Sequence, residues 1–192
     1  MSLISININS YDSFRSDALN RANQGLGYDV DGTYGYQCWD LAAELWMHIQ
    51  EFEDGNLWPK TGPQLYAEEI WTVSRTQNAG SSFDLINSIF ELKRGDVIVL
   101  GVSPISSTGH IAFCDENYSG SLMRLLGQNQ VNPSITLGHI PTVTPLDISA
   151  FLGGFRYKAW NNRPPIHLRK KSKFPWVLYG KKLRNKRNGN ML

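Results

Sequence analysis

From residue 97 onward the sequence breaks into short apolar stretches, at 97–100, 109–115, 121–127, 135–140 and 151–158, separated by turn residues. Apolar runs of this length, bounded by Gly, Pro, Ser and Asn, are strands, and neighbours joined by short loops usually pair antiparallel. Before residue 97 the apolar residues recur at helical spacing instead. Ser10 is placed to cap a helix with Phe14, Ala18, Leu19 and Ala22 on its apolar side and Gly25 as its stop. Leu41, Leu45, Trp46, Ile49 and Phe52 predict a second helix over 38–52. Leu65, Tyr66, Ile70 and Trp71 anchor a third, starting at Thr61 or Gly62 beside Pro63 and running to about Val73, and residues 83–89 lead to the strand at 97. Helices mostly first and strands mostly last place the chain in the α+β class, with N-terminal helices on an antiparallel sheet of about five to six strands.

A length of 192 residues with 41% hydrophobic and 19% charged content suits one good core and an appendage. The appendage is visible in the charge. Residues 161–192 hold ten Lys or Arg and no Asp or Glu, against nine Lys or Arg and 17 Asp or Glu in the preceding 160, so the net charge of +2 conceals a strongly dipolar molecule. Pro164-Pro165 marks the boundary, giving a domain over 1–160 and a basic tail over 161–192 with an aromatic patch at 174–179. Anionic polymers, lipid headgroups or the acidic face of the same domain are electrostatic partners for it; a solubilising tail is the plain alternative. Residues 1–9 contain neither a basic region nor a long apolar run, so neither a signal peptide nor a membrane span is expected. The two cysteines, Cys38 and Cys114, are read as free thiols of a reducing compartment. No internal repeat, phosphate-binding loop or zinc spacing is present.

Chemistry concentrates at residues 29–40. Asp29 and Asp31 flank one residue, Gly32 follows for a turn, and Cys38 opens the second helix. Alternating acids on a tight loop bring oxygens to one point, as Ca²⁺ requires, although Asp also caps turns and Asp40 also complements a helix N-terminus. Free N–H groups at a helix start favour thiolate and can hold an oxyanion; a lone cysteine is equally a small buried residue, and a catalytic one needs a histidine elsewhere. His110 is that histidine. It begins a strand in which it shares a face with Ala112 and Cys114. The run 127–130, Gly-Gln-Asn-Gln, supplies an amide able to bind the far ring nitrogen and fix the tautomer. His139 is a runner-up base that fits no ordered triad, while His48 and His167 read as structural or solvated.

The motifs Asp-x-Asp-Gly-x-Tyr-Gly-x-Gln-Cys-x-Asp at 29–40, Arg-Gly-Asp-Val-Ile-Val at 94–99, Gly-His-Ile-Ala at 109–112 and Gln-Asn at 128–129, in this order, resemble a CHAP domain. This is the cysteine, histidine-dependent amidohydrolase/peptidase module of phage endolysins, tail-associated lysins and cell-wall hydrolases, with a papain-like fold; the similarity covers roughly 10–158. The resemblance implies Cys38 as nucleophile, His110 as general base and Asn129 as the residue that orients the histidine. One position departs. Many members carry an acid just before Gln-Asn, where this chain has Gly127.

The resemblance further implies a structural calcium site using Asp29, Asp31 and Asp40 with carbonyls at Thr33 and Gly35, and no organic cofactor. Gln37, Trp58 and Gln128 are assigned to the substrate and oxyanion side of the site, Trp58 as a groove aromatic, although an aromatic in such a loop is more often part of the core. The expected activity is hydrolysis of an amide bond in peptidoglycan, as an N-acetylmuramoyl-L-alanine amidase or an endopeptidase. Expected partners are peptidoglycan and, through the tail, wall teichoic acid or virion and tail proteins; no specific nucleic acid is expected. Synthesis in a host cytoplasm is expected, with action at the wall after holin-dependent release or from a virion. The alternative is a catalytically decayed virion or wall-binding protein.

Overall fold

The computed structural model describes residues 6–30, 32, 34–49, 66–73, 75, 82–103, 106–130 and 138–162. Three helices come first: α1 (Tyr11–Ala22), α2 (Cys38–His48) and the short α3 (Glu69–Thr72). Six strands follow, β1 (Phe83–Ile86), β2 (Val97–Leu100), β3 (His110–Cys114), β4 (Leu122–Gly127), β5 (Thr142–Asp147) and β6 (Phe151–Tyr157), and then α4 (Lys158–Asn162). The strands form one sheet in the order β1-β6-β2-β3-β4-β5, with every pairing antiparallel. This is the α+β architecture anticipated from the pattern.

Each helix end obeys local chemistry. Ser10 has extended backbone and its hydroxyl accepts the Ser13 N–H at 3.1 Å, so it caps α1, while Gly25 (φ +73°) turns the chain away beyond Asn23. The second helix is shorter than its apolar spacing suggests: Ile49 is already extended, and Phe52 lies outside the described residues. Of the third helix only 69–72 is helical, with Ile70 and Trp71 buried; its expected start at 61–65 lies outside the described residues.

The sheet separates two cores by strict alternation. Val97, Val99, Ile111, Phe113 and Phe155 face the helices and pack with Phe14, Leu41, Leu45, Trp46 and Ile70. Ile98, Leu100, Ala112 and Cys114 face the other way and pack with Ile86, Leu92, Met123, Leu125 and Ile148. No helix contributes to this second cluster among the described residues, so the sheet and its loops enclose it. Two strands differ from expectation. Of the expected strand at 135–140, the described part makes only a bridge, Gly138 to Tyr36, and the strand is Thr142–Asp147 instead. Pro145 is tolerated there because β5 is a sheet edge, where a missing N–H breaks no ladder. At the opposite edge Phe83–Ile86 pairs with β6, a strand rather than a lead-in.

Two buried carboxylates tie the layers together. Asp96 accepts Arg156 Nε and Nη2 at 2.9 and 2.7 Å and the Lys93 N–H at 2.6 Å, fastening the 93–96 turn to β6. Asp115, at the end of β3, accepts Arg15 Nε and Nη2 at 2.6 and 3.0 Å, Tyr11 Oη at 3.0 Å and Arg124 Nη2 at 3.1 Å, which fastens α1 to the sheet. The last described helix belongs to the same body, since Trp160 stacks within 5.8 Å of Tyr11, Phe14 and Tyr157 and its indole N–H reaches Ile8 O at 3.0 Å.

Candidate active site

The site forms where β3 and β4 part. Their pairing covers only Phe113↔Leu126 and Cys114↔Leu125, so toward the start of β3 the two strands diverge. Cys38, the first residue of α2, fills that gap. Its sulfur accepts the backbone N–H of Ile111, with those of Trp39 and of Cys38 itself alongside. These amides favour negative charge on the sulfur and oppose the effect of its burial. His110 stands one residue from Ile111, at the start of β3 beyond Gly109 (φ +76°), a position where a Cβ would lie 2.6 Å from Leu100 O.

The loop that delivers Cys38 is pinned from three sides. The Gln128 amide accepts the Tyr28 N–H at 2.7 Å and donates to Tyr28 O at 3.0 Å and Gln37 O at 2.9 Å. Asp40 reaches back from α2 to accept the Val30 N–H at 2.8 Å and the Gln37 N–H at 2.9 Å. Residue 139 stitches the third side, its N–H to Tyr36 O and its carbonyl to the Asn129 N–H, both at 3.1 Å.

These contacts reassign several expected roles. Gln128 is completely buried and spends its amide on backbone, so it shapes the loop rather than meeting a substrate. Asn129, expected to orient His110, donates instead to Gln37 Oε1 at 2.8 Å from a left-handed backbone (φ +51°), and it makes no hydrogen bond to His110. Gln37 also donates to Tyr34 O at 2.6 Å, so its amide braces the loop beside the nucleophile. The polar side chain that His110 does meet is Gln130, with Oε1 3.4 Å from Nε2. The sequence pointed to an amide within 127–130 and named Asn129; in the structure the amide that touches the ring is that of Gln130, and Asn129 Oδ1 is buried without a partner. His139, set aside in the sequence, adjoins the site through its backbone.

Burial sets the resting charge state. It pushes the Cys38 thiol up to about 11; the Ile111 N–H opposes this and the charge of Asp40 adds to it. It pushes the His110 imidazole down to about 4, with the Gln130 hydrogen bond opposing. No hydrogen bond joins Cys38 to His110, and at neutral pH both are uncharged. Across Gly109 lies Glu68, whose carboxylate is held by the Val102 N–H at 3.1 Å. A hollow of about 390 Å³ bordered by Asp17, Arg21, Gln24 and Tyr28 lies at the end of α1 and includes neither Cys38 nor His110.

The expected calcium ligands are only partly described. Asp31 and Thr33 lie outside the described residues, as does Trp58. Asp29 is exposed, and both oxygens of Asp40 already accept N–H groups. Among the described residues no three His, Cys, Asp or Glu side chains gather to hold an ion. None of the described helices is long and apolar enough to cross a membrane.

A thiol at a helix start and a histidine at the head of an antiparallel strand, on N-terminal helices and a six-stranded antiparallel sheet, make a CHAP-like α+β fold similar to that of phage endolysin domains. It is 31% identical over 138 residues to the D-alanyl-L-alanine endopeptidase of Streptococcus phage B30, a match covering 69% of this chain and 28% of the phage protein. The chain thus spans little more than a quarter of that relative. The crystal structure of the endolysin LysIME-EF1 superposes with a TM-score of 0.56 and 24% identity over 76% of this chain and 65% of its own. The crystal structure of Ly7917 aligns over 74% of this chain and 62% of its own, with 19% identity and a TM-score of 0.44. No family model matches the chain.

Proposed function

We propose that this domain hydrolyses an amide bond of bacterial peptidoglycan, with Cys38 as nucleophile and His110 as general base. The observation that carries the reading is the Cys38 sulfur seated on the Ile111 N–H, one residue from His110, in a chain similar to a phage endopeptidase. In the reaction His110 takes the thiol proton as sulfur attacks the carbonyl carbon, and backbone N–H groups at the start of α2 receive the charge that develops on oxygen. The imidazolium then protonates the leaving amine, the C–N bond breaks, and water releases the acyl group from the thioester with His110 again as base. The relative's name favours an endopeptidase cut next to D-alanine over an amidase cut at the glycan, and product mass distinguishes the two.

Calcium enters this proposal as a structural ion of the 29–40 loop. Its support is the exposed carboxylate of Asp29 on a loop that turns sharply at Gly32, Tyr34 and Gly35 (φ +72°, +61° and +68°). The basic segment 161–192 is proposed to engage wall teichoic acid or virion proteins through its charge.

The test is turbidity loss of purified Gram-positive walls by wild type and Cys38→Ala, each with calcium and with chelator. Clearing by wild type, lost in Cys38→Ala and weakened by chelator, is the expected result. The competing reading is a decayed wall-binding protein, favoured by a Cys38 and a His110 that are uncharged and not hydrogen-bonded to each other; walls bound but never cleared would establish it.

A further inference from the structure

We propose that Gln130 is the positioning residue of His110 in this protein, its amide oxygen occupying the space that a side chain at position 127 would otherwise fill. The inference rests on the reading of His110 as general base.

Gln130 is 8% exposed and its amide has only one way to face. Nε2 donates to Leu125 O at 2.9 Å and to Thr142 O and Oγ1 at 2.8 and 3.1 Å, which consumes its hydrogens on β4 and β5. Oε1 is therefore the end that points to His110 Nε2, 3.4 Å away. The contact is long, as catalytic hydrogen bonds often are before substrate tightens the site. A carbonyl oxygen only accepts, so the ring nitrogen facing it carries the hydrogen. The neutral ring is thereby fixed as the Nε2–H tautomer, leaving the Nδ1 lone pair as the base.

Gly127 makes room for this arrangement. A Cβ at position 127 would lie 2.6 Å from Gln130 Oε1 and 3.1 Å from Ala112 Cβ. Any larger residue there displaces the Gln130 amide, and a side chain grown from 127 heads for the very atom that meets the imidazole. A glycine at 127 is, on this geometry, what lets the Gln130 amide reach the ring. Gln128 and the Asn129 Nδ2 group are engaged with the 28–37 loop, and Asn129 Oδ1, buried without a partner, makes no hydrogen bond to the ring.

The experiment uses the full chain and two readouts. Nitrogen NMR of the His110 ring, assigned by difference with His110→Gln, reports the tautomer without any wall substrate; turbidity clearing reports catalysis. Wild type is expected to show the Nε2–H form. Gln130→Met, of similar length but lacking the amide, is expected to show a tautomer mixture, a shifted acid limb in the pH–rate profile and at least about a tenfold loss of clearing. Gly127→Ala is expected to do the same with Gln130 intact, because its methyl group pushes the amide aside, and it carries the test alone should Gln130→Met fold poorly. The double variant Gly127→Glu with Gln130→Ala, which returns an acceptor to the ring from position 127, is expected to recover most of the lost clearing. An unchanged tautomer in both single variants overturns the proposal, whatever the clearing does, and so does a double variant no better than its parents. Wild type that never clears walls would sink the hydrolase reading, while the tautomer measurement would still decide the role of Gln130.

Discussion

Cys38 and His110 rest as thiol and neutral imidazole because burial is the largest influence on both. A preformed thiolate–imidazolium pair would alkylate readily in mild acid; this pair will not. With a thiol near 11, iodoacetamide should label Cys38 at pH 7 roughly ten to a hundred times more slowly than an ordinary cysteine, with a rate that climbs steadily toward pH 11. Mass spectrometry of the labelled peptide checks this, and Cys114, fully buried in the second core, serves as an internal negative. The same depression of His110 has a consequence for stability. Unfolded, the ring takes a proton below about 6.5; folded, it does so only near 4, so the unfolded chain binds more protons between these values. Stability should therefore fall as pH drops from 6.5 to 4, by about 3 kcal/mol from this residue. Urea melts at pH 7 and 4.5 should show a smaller acid loss in His110→Gln than in wild type. At this scale the sequence was legible where chemistry is rare: one cysteine at a helix start and one histidine at a strand start are easily paired. It was not legible among 128–130, where three amides stand in a row and only the folded chain shows that the amide touching the ring is that of Gln130.

The elements around the site were readable to different depths for physical reasons. α1 announced itself through a cap, an apolar stripe and a terminal glycine, all of which act locally. β1 and β5 were missed or misplaced because each lies at a sheet edge and is recruited by its neighbour: four residues of β1 and a proline-bearing β5 have little strand character until β6 and β4 offer a ladder. Asp40 shows how an element and a loop become one unit. Its carboxylate closes the N-terminus of α2 through Gln37 and holds Val30 of the incoming loop, both from a buried position. Asp40→Ala leaves those two N–H groups without their acceptor and should cost about 2–4 kcal/mol. Asp40→Asn, which keeps one accepting oxygen, should fall between. Thermal melts in chelator measure this loss without any contribution from calcium, and a melting temperature unchanged in Asp40→Ala would mean that Gln128 alone anchors the loop.

On the scale of the whole molecule, the charge separation is one of sequence, with the acidic excess before residue 161 and the basic excess after it. The packed body closes at α4, where Trp160 fills a ring of aromatics from α1 and β6 and binds Ile8 O. All ten Lys and Arg of 161–192 follow α4 in the sequence. Removing residues 163–192 keeps Trp160 and its aromatic partners, and the melting temperature of the domain is expected to stay within about 2 °C. Binding to walls should respond very differently. Attraction between a basic segment and an anionic polymer is screened over about 10 Å at 0.1 M salt, so pull-down of the full chain on teichoic-acid-bearing walls should weaken steeply between 50 and 300 mM salt. The truncated chain, left with an acidic body, should bind weakly at low salt and gain rather than lose as salt rises. Walls stripped of teichoic acid separate the two contributions: the full chain should lose its salt-sensitive fraction on them, while clearing by the truncated chain, which depends on Cys38 and His110, should continue at high enzyme concentration. Equal binding of both chains to intact walls at every salt concentration would place wall attachment in the domain itself and leave the basic segment without an anionic partner there.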